Sequence, residues 1–346
     1  LERSIARQRV RLAWLRGDDV AVSYLNIHAP HRKQRTAITS LQVGAQTVTS
    51  HDALAEAAVS HFSGVLGTAE AREFSIDQSI LRQYTSPLDD LDEPFSEEEI
   101  WHAITMMPPG KAPGPDGFPA RFFQRHWGMM KNSIIEAVRQ FFSFGVMPEG
   151  VNNTTIVLIP KVDNPQCLSE FRPISLCNVL YKIASEVLAN RLKQILPHII
   201  SEEQSAFVPG RLITDNNIIT TYECLHFMKR NKAKRDRFCA VKLDMMKAYE
   251  TVEWDYLKAI MLKLGFSDRW VASIMKVVTS VTFSVLFNGE RTEVFKPSRG
   301  IRQGDPISPY LFLLAAEGLS CLLRSRGNSE NLSGILVAPT APPVNH

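Results

Sequence analysis

The spacing of apolar positions changes along this chain, and each change marks an element. After residue 95 a helical period runs through Ile100, Trp101 and Ile104. Ser96 and Glu99 have capping-box spacing at its start, and Phe95 can staple onto Ile100 across the cap. This helix is expected to stop before Pro108-Pro109-Gly110. Residues 110–119 are too rich in Gly and Pro for regular structure. Helical spacing resumes at Ile134, Val138 and Phe142, and residues 154–159 form a short β-rich run closed by Pro160. Residues 175–196 read as one strong helix. Residues 238–244 alternate, with Cys239, Val241 and Leu243 on one face and Ala240, Lys242 and Asp244 on the other, so a strand ending at Asp244 is expected. A helix follows, with Trp254, Leu257, Met261 and Leu264 on one stripe and Gly265 as its stop. Residues 281–287 and 291–295 flank Asn288-Gly289, the signal of a hairpin with a type I′ turn.

Short strands interleaved with helices, without a regular βαβ rhythm, predict an α+β fold. Residues 1–94 read as a partly helical N-terminal extension or linker ending in an acidic loop, and residues 95–346 as the main domain. No internal repeat or low-complexity tract interrupts either part. No apolar run approaches the ~18 residues that a membrane span needs, so no membrane partner and an intracellular place, nucleus or cytoplasm, are expected. The first residue, Leu1, begins neither a signal peptide nor a starting Met, as expected of an internal piece of a longer reading frame. The five cysteines are scattered and without a Cys-x-x-Cys pair, which argues against a disulfide framework or a zinc site.

The net charge of +3 conceals an asymmetry: residues 1–50 carry +5, residues 51–100 carry −10, and the rest is basic. A basic main body suits a polyanionic partner, as it suits an ordinary solvated surface.

Asp244 at a strand end is the one carboxylate whose position suggests chemistry, because a sheet can fix an oxygen ligand for Mg²⁺. Alone, a polar residue closing a strand means little. Its neighbours change that. The run from Val241 through Lys242-Leu243-Asp244-Met245 and Ala248-Tyr249 to Trp254 resembles the first catalytic motif of reverse transcriptases of the plant LINE type, the non-LTR retrotransposons. Gly300-Ile301-Arg302-Gln303-Gly304-Asp305-Pro306 resembles their next motif. Upstream, Leu158-Ile159-Pro160-Lys161 and Phe171-Arg172-Pro173-Ile174 resemble the nucleotide-binding part of the fingers. Residues 110–117 and 204–211 also fall in family order.

The resemblance implies right-hand polymerase fingers and a partial palm, an antiparallel sheet with packed helices, with the thumb absent. It implies an RNA-directed DNA polymerase that takes an RNA template, a DNA primer and deoxynucleoside triphosphates, and works with two Mg²⁺ ions. By this resemblance Asp244 is catalytic and, with the main-chain carbonyl of Met245, holds metal. Lys161 and Arg172 neutralise the triphosphate. Tyr249 stands where a ribose 2′-hydroxyl would clash, and Gln303 and Gly304 lie against the nascent base pair. Outside that context these residues read as surface charges, a packed tyrosine and a turn.

The chain departs from the family in several ways. The family's aromatic-Ala-Asp-Asp turn does not follow Gln303-Gly304 within residues 305–346, and Met246 and Glu250 stand where family members usually carry Ser and Asp. One carboxylate does not make a two-metal site, so residues 1–346 are expected to be inactive alone. A non-catalytic nucleic-acid-binding remnant and a pseudogene product are the alternatives. Glu253 and Asp255 are expected on the exposed side of the following helix, and the basic run 229–237 as a backbone contact or a solvated loop.

Overall fold

The computed structural model describes residues 37–67, 88–145, 147–212, 214–230 and 239–328, with Gly334, Ile335, Val337 and Val344 of the tail. Residue 238 and the basic positions 231–237 lie outside the described residues.

A small antiparallel hairpin, β1 (Leu41–Val43) and β2 (Gln46–Val48), leads into α1 (His51–Gly67). Leu54, Ala58, Phe62 and Leu66 recur every four residues along α1, so they form one buried stripe. That stripe shares a core with Ile156, Phe171, Val281, Phe283, Val285 and Phe287. The described residues of the N-terminal extension therefore pack on the sheet. Asn288 fastens the segment further, accepting a hydrogen bond from the Ile38 N–H and donating one to its carbonyl, both at 2.9 Å.

The helix α2 (Glu97–Met106) begins at the expected capping box. The Ser96 hydroxyl accepts from the Glu99 N–H, and the Glu99 carboxylate accepts from the Ser96 N–H. Phe95 and Ile100 are both buried in the larger core. Arg191 then uses the rest of Glu99, forking onto its two oxygens at 2.7 and 2.8 Å. It also donates to the carbonyls of Leu91 and Glu93 and lies 3.9 Å above the Phe95 ring. One guanidinium thus ties the acidic loop and the start of α2 to the helix that carries Arg191, which packs on α2. Its hydrogen bonds hold the Glu99 carboxyl below the usual carboxylate range, against the opposing effect of burial.

Residues 110–119 are irregular, as expected, and are followed by α3 (Ala120–Arg125) and α4 (Trp127–Phe144). Four strands form the main sheet: β3 (Asn153–Pro160), β4 (Phe171–Cys177), β5 (Thr282–Phe287) and β6 (Glu290–Arg291), in the order β4-β3-β5-β6. The sheet is mixed, which corrects the antiparallel expectation: β3 pairs β4 antiparallel, but β3 and β5 run parallel with Asn153 opposite Thr282. β3 and β5 are not sequence neighbours: β4 and several helices lie between them, so no tight hairpin forces them antiparallel.

The helix expected over 175–196 starts later. Ser175, Leu176 and Cys177 complete β4, pairing with Ile156, Thr155 and Thr154, and α5 runs over Val179–Ile199. Asn178 makes the break, donating to the carbonyls of Gly150 and Val151 and accepting from the Asp116 N–H. At Gly114 a Cβ would lie 2.3 Å from the Asn178 nitrogen, so only glycine admits this approach. Arg211, within the 204–211 motif, closes the far end of α5 by donating to the carbonyls of Pro197 and Ile200.

The expected strand ending at Asp244 does not form: residues 239–244 have no regular secondary structure and no ladder partner among the described residues. Val241 and Leu243 are 74% and 67% exposed. Alternation selects a face, but a strand needs a neighbour to pair with, and no described strand lies beside this one. The preceding α6 (Thr220–Arg230) has no buried residue, and Tyr222 and Leu225 on it are exposed as well.

Beyond it, α7 (Trp254–Lys263) carries the expected buried stripe and ends before Gly265, whose φ is +96°. After α8 (Asp268–Thr279), Asn288 and Gly289 both have positive φ at the β5–β6 turn, as a type I′ turn requires. Finally α9 (Ser308–Asn328) packs on α5 and α7. No described helix is long and apolar enough to cross a membrane.

Candidate nucleotide-binding cleft

Five stretches distant in sequence meet around a cleft of about 680 Å³. Its walls come from α1, from the β3–β4 connection with β4, from residues 245–250 and from residues 303–309, with Glu186 of α5 as a fifth contributor.

Lys161 follows the last residue of β3. Its N–H donates to the Glu170 carbonyl and its Nζ to the Ser169 carbonyl, each at 2.8 Å, which aims the side chain along the cleft wall. Pleating of β4 sends Phe171 into the core and leaves Arg172 exposed on the cleft side. Tyr249 is half-buried, its ring 5.3 Å from that of Phe312, and its carbonyl accepts from the Ile301 N–H. Burial raises the Tyr249 pKa above the ordinary phenol value.

Gln303 and Gly304 are held against β4. The Ser175 N–H donates to the Gln303 carbonyl at 2.8 Å. Gly304 has φ +101°, and a Cβ there would sit 3.2 Å from the Ser175 carbonyl oxygen, so the backbone lies directly on the strand. The Gln303 amide donates to Glu250 at 2.6 Å, while the other Glu250 oxygen is buried without a partner. Lys161, Arg172, Met245, Tyr249, Gln303 and Gly304 thus all line this cleft. Asp244 is exposed and precedes the cleft wall at Met245 without being part of it.

Several residues that hold the site escaped the sequence reading. Arg302 and Asp305 form a buried ion pair at 2.9 Å, with side chains 4% and 2% exposed. Tyr181 donates to Asp305 at 2.6 Å, Ser185 donates to its other oxygen, and Arg302 lies over the Tyr181 ring at 3.9 Å. Arg302 also reaches Asn152, Thr154 and the Val277 carbonyl. Burial alone would pull the Arg302 pKa down, but Tyr181 and Asp305 hold it above its ordinary value; burial pushes Tyr181 well above its own. This network fixes α5, β3 and α8 relative to the Gln303-Gly304 turn. Opposite charges three residues apart, Arg302 and Asp305, were its visible signal. Glu253, expected on an exposed face, instead pairs with Arg299 at 3.4 Å and is 14% exposed; Asp255 is exposed as expected. His61 on α1 and Lys247 also line the cleft, and burial first, then Lys247 and Lys161, lowers the His61 pKa.

The oxygen donors that a divalent metal would need are few. Asp305 is fully engaged by Arg302, Tyr181 and Ser185, and Glu250 is held by Gln303. Among the described residues no three His, Cys, Asp or Glu side chains converge. Asp244 and the Met245 carbonyl are therefore an incomplete donor set for two metal ions.

Comparison with known proteins agrees with the motif order. The family model described as reverse transcriptase (RNA-dependent DNA polymerase) matches residues 159–333. A transposon TX1 149 kDa protein from Xenopus laevis is 32% identical over 68% of this chain and 18% of its own length. The Pol polyprotein of the R2DM retrotransposable element of Drosophila melanogaster is 28% identical over 65% of the chain and 21% of its own length. An R2 Pol polyprotein from Popillia japonica is 27% identical over 67% of the chain and 31% of its own length. The chain therefore spans between about a fifth and a third of the length of these relatives.

Proposed function

From the premise that this chain belongs to the reverse transcriptase family, as a partial member of the non-LTR retrotransposon type, we propose that it forms the nucleotide-binding side of an RNA-directed DNA polymerase. The partners are an RNA template, a DNA primer and deoxynucleoside triphosphates. The observation that carries the reading is the convergence of Lys161, Arg172, Tyr249 and Gln303-Gly304 on one cleft. In this reading residues 95–346 supply the fingers and part of the palm.

Each residue has a chemical task. Arg172 engages the triphosphate with its planar fork and Lys161 with a point charge. The Tyr249 ring, braced by Phe312, occupies the space that a 2′-hydroxyl would need. Gln303, fixed by Glu250, and the side-chain-free Gly304 meet the new base pair. Asp244 and the Met245 carbonyl would supply two of the oxygen donors that Mg²⁺ needs, and further carboxylates would have to supply the rest. A nucleic-acid-binding remnant is the second reading, favoured by the incomplete donor set.

Primer extension separates the two. Residues 1–346 alone extend no primer on RNA or DNA templates, even at high Mg²⁺ or Mn²⁺. Joined to a relative's aromatic-Ala-Asp-Asp hairpin and thumb, they gain activity, and Asp244→Asn abolishes it. Extension by the joined protein that survives Asp244→Asn would refute the assignment; no extension by any joined protein would favour the remnant.

A further inference from the structure

We propose that His61, on the cleft face of α1, is a further contact for the polyphosphate of the bound nucleotide, donating from its imidazole to a phosphate oxygen. The proposal rests on the reading of the cleft as a nucleotide site and extends it to a helix outside the matched family region 159–333.

The placement follows from the periodicity of α1. Leu54, Ala58, Phe62 and Leu66 face the core, so His61 and Val65, one position before Phe62 and Leu66, turn to the cleft edge of that stripe. The helix cannot drift from this position. The carbonyl of Leu66 accepts from the N–H groups of Ser298 and Arg299, at 2.8 and 3.0 Å, and that of Val65 accepts from Arg299 Nε at 2.9 Å. The same strap leads into Gly300 and the Gln303-Gly304 turn, so α1 is registered to the wall that meets the base pair.

The charges around His61 favour an anion. Lys161 and Arg172 face it from β3 and β4, and Lys247 from the 245–250 segment. Of the carboxylates on the same walls, Glu186 pairs with Lys193 at 3.2 Å and Asp305 with Arg302, which leaves Glu250, accepting from Gln303 through one oxygen, against the three cations Lys161, Arg172 and Lys247. In the free cleft, burial and the two lysines disfavour the imidazolium. An arriving polyphosphate reverses the sign of that surrounding and favours it. Binding therefore takes up a proton at His61, and this contribution to affinity grows as pH falls.

The test is calorimetric titration of residues 1–346 with inorganic tripolyphosphate in EDTA, at about pH 6 and about pH 8. His61→Gln is expected to weaken binding about fivefold at the lower pH and less than twofold at the higher. His61→Lys, charged at both, is expected to bind at the higher pH at least as tightly as wild type. Equal affinity of wild type and His61→Gln at both pH values, with Arg172→Ala weakening both proteins, would overturn the His61 contact alone. If Arg172→Ala and Lys161→Ala also leave binding unchanged, the nucleotide reading of the cleft falls, and the His61 contact with it.

Discussion

At the scale of single residues, Arg302 and Arg191 carry more of the structure than any motif reading assigned them. Arg302→Met leaves Asp305 buried without its cation and is expected to cost ~3–5 kcal/mol, while Arg302→Met with Asp305→Leu recovers most of the loss. Denaturant unfolding of the three proteins checks this; equal destabilisation by the single and double variants would deny the pairing. At Gly300, φ is +90° and a Cβ would meet the Glu250 carbonyl oxygen at 2.7 Å. Gly300→Ala should therefore cost at least ~1–3 kcal/mol. Glu99 adds a pH dependence. Because Arg191 depresses its folded pKa, the pair's contribution is present above the unfolded value of about 4.3 and is lost as pH falls through the folded one. The stability gap between wild type and Arg191→Met should thus narrow on acidification below about pH 4. A gap constant from neutral pH downward would contradict it. The motif letters pointed to Lys161, Arg172, Tyr249, Gln303 and Gly304. They said nothing of His61, Tyr181 or Ser185, whose contacts join positions more than a hundred residues from their partners in the 247–305 region.

At the scale of elements, local signals were legible and long-range partners were not. The box at Ser96, the Asn288-Gly289 turn and the stop at Gly265 are written in a few adjacent residues, and each formed where expected. Ser175-Leu176-Cys177 looked helical because an apolar run is ambiguous over three residues. Pairing with Thr154-Thr155-Ile156 decided the matter, and Asn178 then ended the strand. The 239–244 segment shows the converse. Its alternation suits a strand, yet without a neighbouring strand Val241 and Leu243 lie exposed. Amide hydrogen exchange at residues 239–246 should accordingly be fast in residues 1–346. It should slow by orders of magnitude when a hairpin bearing the aromatic-Ala-Asp-Asp turn is joined to the chain, as a strand gains ladder hydrogen bonds. Protection already present in residues 1–346 would show that the segment pairs elsewhere.

At the scale of the whole molecule, the α+β class was legible from the mixture of periods, but the parallel β3–β5 pairing was not, because its partners lie about 130 residues apart. In the proposed function the basic excess beyond residue 100 makes backbone contacts with nucleic acid. Binding of RNA and DNA by residues 1–346 should be weak, tolerant of sequence and steeply weakened by salt; six phosphate contacts would cost about a thousandfold between roughly 50 and 200 mM. A flat salt response would contradict an electrostatic interface.

In the proposed function one cleft, assembled from five separated stretches, receives a deoxynucleoside triphosphate with its phosphates at Arg172 and its sugar at Tyr249. Equilibrium binding of dGTP and GTP to residues 1–346, wild type and Tyr249→Ala, tests it most directly. Wild type should prefer dGTP, and Tyr249→Ala should bind the two nucleotides equally by tightening for GTP. An unchanged preference in Tyr249→Ala would contradict the account.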